Sequence, residues 1–217
     1  MASFDILEDE GMRLVRITIG NEMVRAEAGA LSYMRGAIDV TVPLPSPGRA
    51  IRNLLSGEPL IRPRYSGTGE IYLSPTLGGY HVLEIEKDPW ILEDGAYWAS
   101  DGSVDLGVHR EPLVTSFWAG EGFIDFQTKV SGSGRVVLNT IGPVDEVELH
   151  DDRIAVEGKQ VIARTAGLTY RVRRPTRSRI GYYLSGESLV RTYAGSGKVV
   201  LTKSPYLNQR LLSALTR

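Results

Sequence analysis

The chain contains no cysteine among its 217 residues. That excludes disulfide staples, thiolate catalysis and cysteine-ligated metal, and it suits a reducing compartment. Histidine is scarce as well: His81, His109 and His150 are the three present, without metal-ligand spacing. No apolar run approaches the roughly eighteen residues of a membrane helix. Neither sign of charge is in excess, since 25 lysines and arginines face 26 acids. No global field therefore draws the chain to anionic membranes or nucleic acid, and nucleic acid is not an expected partner. The opening stretch carries Asp5, Glu8, Asp9 and Glu10 and no basic segment leading into an apolar run. The expectation is a cytoplasmic protein without a secretory leader.

What the chain does have is glycine, 24 of them with 11 prolines, scattered among short runs that alternate apolar and polar. Leu14-Val15-Arg16-Ile17-Thr18-Ile19, Val82-Leu83-Glu84-Ile85-Glu86 and Val144-Asp145-Glu146-Val147-Glu148-Leu149 show the period of two that a half-buried strand requires. Such runs punctuated by turn formers indicate an all-β protein.

Three landmarks recur in register. Ser56-Gly57-Glu58-Pro59-Leu60-Ile61 returns as Ala119-Gly120-Glu121-Gly122-Phe123-Ile124 and as Ser185-Gly186-Glu187-Ser188-Leu189-Val190. Ser66-Gly67-Thr68-Gly69 returns as Ser131-Gly132-Ser133-Gly134 and Ala194-Gly195-Ser196-Gly197, each followed by a charged residue and an apolar run. Gly29, Gly95 and Gly158 form the third set. Successive copies lie 63 to 66 residues apart, which predicts one compact unit over 1–217 built from repeats at about 9–78, 79–142 and 143–205.

Within each unit, Gly20-Asn21, Lys87-Asp88-Pro89 and Asp151-Asp152 are expected to reverse the chain between strands. The Gly-x-Gly elements are expected to form tight reversals, and Gly29, Gly95 and Gly158 to take positive φ or allow close backbone approach. Two helices are expected. One is capped by Ser46 and Pro47 and ends at Gly57; the other opens at Ser204-Pro205 and aligns Leu207, Leu211, Leu212 and Leu215 over 206–217.

Ala26-Glu27-Ala28-Gly29-Ala30-Leu31-Ser32-Tyr33-Met34, Ser56 to Leu60, Gly120 to Phe123 and Leu184 to Val190 carry a resemblance to the altered inheritance of mitochondria twenty-four family. Its fold is described as like the tryptophan RNA-binding attenuation protein. The resemblance implies a β-sandwich of three related subdomains with pseudo-threefold symmetry. It carries over no catalytic or ligand site.

Among candidate sites the sharpest is Glu58, Glu121 and Glu187, which occupy equivalent places and on a pseudo-threefold axis would form an acidic ring for a cation. The plain alternative is that each carboxylate accepts hydrogen bonds from its own turn. Arg171, Arg173, Arg174, Arg177 and Arg179 form the one local basic run, a patch suited to an anionic partner unless Asp145, Glu146, Glu148, Asp151 and Asp152 neutralise it across a sheet. Ser116 with His109 and Asp105 lacks the character of a triad. Trp90, Tyr97, Trp98, Phe117 and Trp118 are expected mainly in the core, with Trp118 a candidate for a pocket or subunit contact. No cofactor is implied. The expected function is a non-enzymatic binding or scaffolding protein acting on a protein partner or on copies of itself. The alternative is a small-molecule or metal-binding module with its site between repeats.

Overall fold

A computed structural model describes residues 2–43, 62–76, 78–110, 126–157, 160–173 and 190–203. Every regular element there is a strand: β1 Ser3–Asp9, β2 Met12–Ala26, β3 Leu31–Thr41, β4 Arg64–Leu73, β5 Gly79–Ile85, β6 Trp90–Leu92, β7 Tyr97–Asp101, β8 Val104–Arg110, β9 Phe126–Gly132, β10 Gly134–Thr140, β11 Val144–Glu157, β12 Val161–Thr165, β13 Thr169–Arg173 and β14 Val190–Thr202. They form two antiparallel sheets in a sandwich-like body. The first runs β3-β4-β2-β7-β10-β5 with β1 beside β2, and the second runs β11-β14-β12-β6-β9-β8 with β13 beside β14. Both expected helices, at 46–57 and 206–217, lie outside the described residues.

The middle third of the chain belongs to both sheets. β5, β7 and β10 enter the first, while β6, β8 and β9 enter the second. Two of the four crossings between them, β7 to β8 and β9 to β10, latch onto one another. Asp101 accepts hydrogen bonds from the Arg135 backbone amide at 2.8 Å and from its Nε at 3.3 Å, and the Ser103 hydroxyl donates to the Ser133 carbonyl at 2.6 Å. Leu83, Trp90, Leu92, Tyr97, Val104, Val130, Leu138 and Val200, drawn from both sheets, pack there as one buried cluster.

Two expected reversals prove to be bulges inside long strands. β2 runs unbroken through Gly20-Asn21, where its register with β4 slips between Gly20 and Met23. β11 runs through Asp151-Asp152 with a slip against β14 between Leu149 and Asp152. Asn21 at φ 78° and Asp151 at φ 53° supply the left-handed residue, which a bulge uses as readily as a turn does. The extra residue flips the buried phase: Val15, Ile17 and Ile19 are buried before the β2 bulge, and Val24 and Ala26 after it. At Lys87-Asp88-Pro89 the chain instead leaves the first sheet after β5 and joins the second at β6.

The Gly-x-Gly elements do not reverse the chain either. β4 and β14 pass straight through theirs, and the middle copy marks the passage from β9 in one sheet to β10 in the other. All three pairs take the same unusual backbone, with φ of 122° and 153°, 90° and 142°, and 123° and 156°. Only glycine adopts such angles in succession without strain. Gly29 and Gly95 hold φ of 80° and 73° with open space around them, so positive φ rather than close approach explains them. Gly158 lies outside the described residues.

Candidate functional site

Glu58, Glu121 and Glu187 all lie outside the described residues, as do Arg174, Arg177, Arg179, Ser116, Phe117 and Trp118. Arg171 and Arg173 stand on β13, which pairs with β14 over Val190 to Ala194. The acidic strand β11 lies on the other side of β14, and its Asp145, Glu146 and Glu148 oppose Leu201, Val200 and Lys198 at the far end. Asp145 instead binds Lys203 at 2.9 Å, and Glu146 binds His81 at 2.7 Å. Between Arg171 or Arg173 and the carboxylates of Asp145, Glu146 and Glu148 lie the whole of β14 and about half its length, while Asp152 of the same run sits opposite Gly195, nearer β13. Among the described residues no three histidines or acids come close enough to hold a metal ion. No helix among them is long and apolar enough to cross a membrane.

The structure assembles a polar cluster that sequence reasoning missed. Arg62, just before β4, is 7% exposed. Its Nε meets Glu27 at 3.1 Å, its other arm donates to the Thr128 hydroxyl at 3.2 Å, and its guanidinium lies 4.4 Å from the centre of the Tyr97 ring. Glu27 and Tyr97 belong to first-sheet segments and Thr128 to β9 of the second, so Arg62 ties the two sheets. Next to Thr128, Gln127 donates to Glu93 at 2.8 Å, and Glu93 faces Arg191 of β14 at 3.7 Å. Arg164 lies over Tyr170 and Tyr193 at 5.4 and 5.9 Å. Burial pushes the Tyr97 phenol up to about 12, with its Ser100 hydrogen bond opposing, and pushes Tyr193 higher still. Paired arginines and neutral buried phenols make a strut, since none of these groups is a base poised against a nucleophile.

The second feature is the β3 edge, which among the described residues pairs with β4 alone. Its partner β4 buries Tyr65 and Ile71 in the core, and the residues directly opposite them are Val40 and Met34. Directly opposed residues in an antiparallel pair share a face, so Val40 and Met34 belong to the core-facing row. Yet they are 41% and 42% exposed, and Val42 just beyond is 51% exposed. Ile38 of the same row does reach the core. On the opposite face Tyr33 stacks on Tyr72 at 4.3 Å with their planes 13° apart.

Two sheets that share one interlocked middle segment, with ion-paired struts between them and exposed apolar side chains along the β3 edge, define an all-β sandwich protein. The chain belongs to the family described as Mitochondrial biogenesis AIM24, whose model matches residues 4–203. An uncharacterized protein of Streptococcus pyogenes serotype M6 is 26% identical over 156 residues, which cover 69% of this chain and 61% of that protein. The chain thus spans about three-fifths of the curated relative it matches. A crystal structure of a Streptococcus pyogenes protein superposes with a TM-score of 0.73 at 23% identity, covering 99% of this chain and 98% of that one, a likeness of fold.

Proposed function

We propose that the protein is a non-enzymatic binding or scaffolding body, built from three copies of one unit, that works by self-association or by contact with a protein partner. One observation carries this reading: a long strand at a sheet edge leaves core-row apolar side chains Met34 and Val40 in solvent. Edges of that kind are sites where another chain adds. A cytoplasmic site of action is part of the proposal, and cell fractionation tests it. For the association itself, light scattering over a hundredfold range of protein concentration is the direct measurement, combined with affinity capture from cell extract. A defined oligomer or a reproducible protein partner is expected. A strict monomer that captures nothing would sink the reading.

A second reading, a small-molecule module, draws on the Gln127 Oε1 atom, buried without a hydrogen-bond partner beside the Glu93 and Arg191 pair. A buried acceptor left open is costly, and a ligand donor would satisfy it. Native mass spectrometry of the purified protein decides. A recurrent added mass that disappears in Gln127→Leu favours this module, and a bare chain mass rules it out.

A further inference from the structure

Among the described residues six strands pair on one side only: β1, β3 and β5 in the first sheet, β8, β11 and β13 in the second. Of these, β1 carries Asp5, Glu8 and Asp9 and β13 carries Arg171 and Arg173, each set of one sign. Sheet ends are commonly protected by charge. β11 carries Asp145, Glu146, Glu148, Asp151 and Asp152, so two copies of that edge repel one another. β5 carries His81 and Glu84, and His81 is already engaged with Glu146. β8 shows Val108 alone among exposed large apolar side chains. β3 differs from all of these, with three exposed apolar side chains in Tyr33, Met34 and Val40 and two charges of opposite sign, Arg35 and Asp39.

Those two charges are placed symmetrically about Ala37. Laid antiparallel against its own copy with Ala37 opposite Ala37, the strand sets Arg35 against Asp39 and, by symmetry, Asp39 against Arg35. The same register sets Met34 against Val40 twice, on the other face. No other antiparallel register of β3 on itself pairs the two charges. Opposite charges directly across a ladder stabilise it, and like charges oppose it. The apolar pairs fall in the row of Ile38, so a second copy would continue the buried face of the first sheet across the joint and cover the two side chains the monomer leaves wet.

We infer that β3 is a homodimer interface in which the first sheets of two copies join edge to edge about a twofold axis at Ala37. This rests on the self-association reading above and names its partner and register. The contact is isologous and closes at two copies, so it builds a dimer and not a filament.

Because the chain has no cysteine, one introduced thiol reports on the joint without background. In Ala37→Cys the two thiols would face each other across a ladder whose Cα spacing of about 4.5–5.5 Å suits a disulfide. In Ser32→Cys the same register holds the two thiols roughly 33 Å apart, at ten residues of strand rise. Mild oxidation should link the first variant into a covalent dimer and leave the second unlinked. Charge reversal supplies the independent arm. Arg35→Asp sets carboxylates against each other twice, and Asp39→Arg sets guanidinium groups against each other twice. Each should weaken the dimer about tenfold, while the combined swap restores it. Circular dichroism confirms folding of each variant. A dimer indifferent to both reversals and unlinked through position 37 overturns this interface while leaving self-association standing. A monomeric wild-type chain overturns the interface whatever partner it captures.

Discussion

Arg62 meets Glu27 at 3.1 Å in a place where the arginine side chain keeps only 8% of its exposure and the glutamate 29%. The pair is therefore mostly withdrawn from water. A pair so placed gains little over an apolar substitute, but either half alone is costly, because the remaining charge keeps its desolvation and loses its counterion. The Thr128 hydroxyl and the Tyr97 ring complete the surroundings of the guanidinium, so the strut spans from the first sheet to the second.

Arg62→Met should lower unfolding stability by about 3 kcal/mol, the lower range for breaking a buried pair, since Glu27 retains some water. Combining it with Glu27→Leu should recover more than half of that loss. Urea titration of the two single variants and the double reads the coupling, and additive losses would show that the pair is not a unit.

The two kinds of positive-φ glycine should respond differently to alanine. At Gly29 a Cβ meets open space and only the backbone angle is strained, so Gly29→Ala should cost about 1 kcal/mol. At Gly67 the Cβ would run into the Ala37 carbonyl oxygen on the neighbouring strand. Gly67→Ala should cost about 3 kcal/mol, because backbone rather than a side chain has to move. Chemical denaturation of both compares them directly, and equal losses would refute the contrast.

Sequence alternation was enough to read the all-β class, since each strand buries one face. It was silent on the bulges, because Asn21 and Asp151 send the same signal for a left-handed turn and for a left-handed residue inside a strand. The cue that distinguishes them was present: buried positions run Val15, Ile17, Ile19 and then Val24, Ala26, a change of phase without a change of direction. Arg62 and Arg191 each stand five residues past a landmark glycine, Gly57 and Gly186. Nothing in the sequence marks those arginines as buried, since arginine is mostly exposed unless it is paired. The exposure of Met34 and Val40 was not legible at all, because an apolar residue at alternate positions reads the same at a sheet's centre and at its edge.

Alkaline pH should test the buried phenols. Burial raises Tyr97 and Tyr80 to about 12 and Tyr193 further, whereas an unfolded tyrosine loses its proton near pH 10. Above about pH 10 the folded chain thus holds more protons than the unfolded one, and stability falls as pH rises. Stability from these residues should be intact below pH 10 and lost progressively through pH 12. Following phenolate absorbance together with circular dichroism, a group of tyrosines should ionise only as the fold is lost. Ionisation of all ten tyrosines near pH 10 in a folded protein would contradict this.

Trp98 lies against Tyr80 with ring centres 5.7 Å apart, and its indole Nε1 is buried without a hydrogen-bond partner. The ring contributes packing, while the unpaired donor costs about 1–3 kcal/mol of desolvation. Phenylalanine keeps an aromatic ring against Tyr80 and removes the donor, so its smaller volume and the relieved penalty should nearly cancel. Trp98→Phe is expected within about 1 kcal/mol of the parent, and Trp98→Ala about 3 kcal/mol below it. Urea unfolding midpoints separate the two cases. A loss in the phenylalanine variant as large as in the alanine variant would mean that the indole nitrogen is hydrogen-bonded in solution.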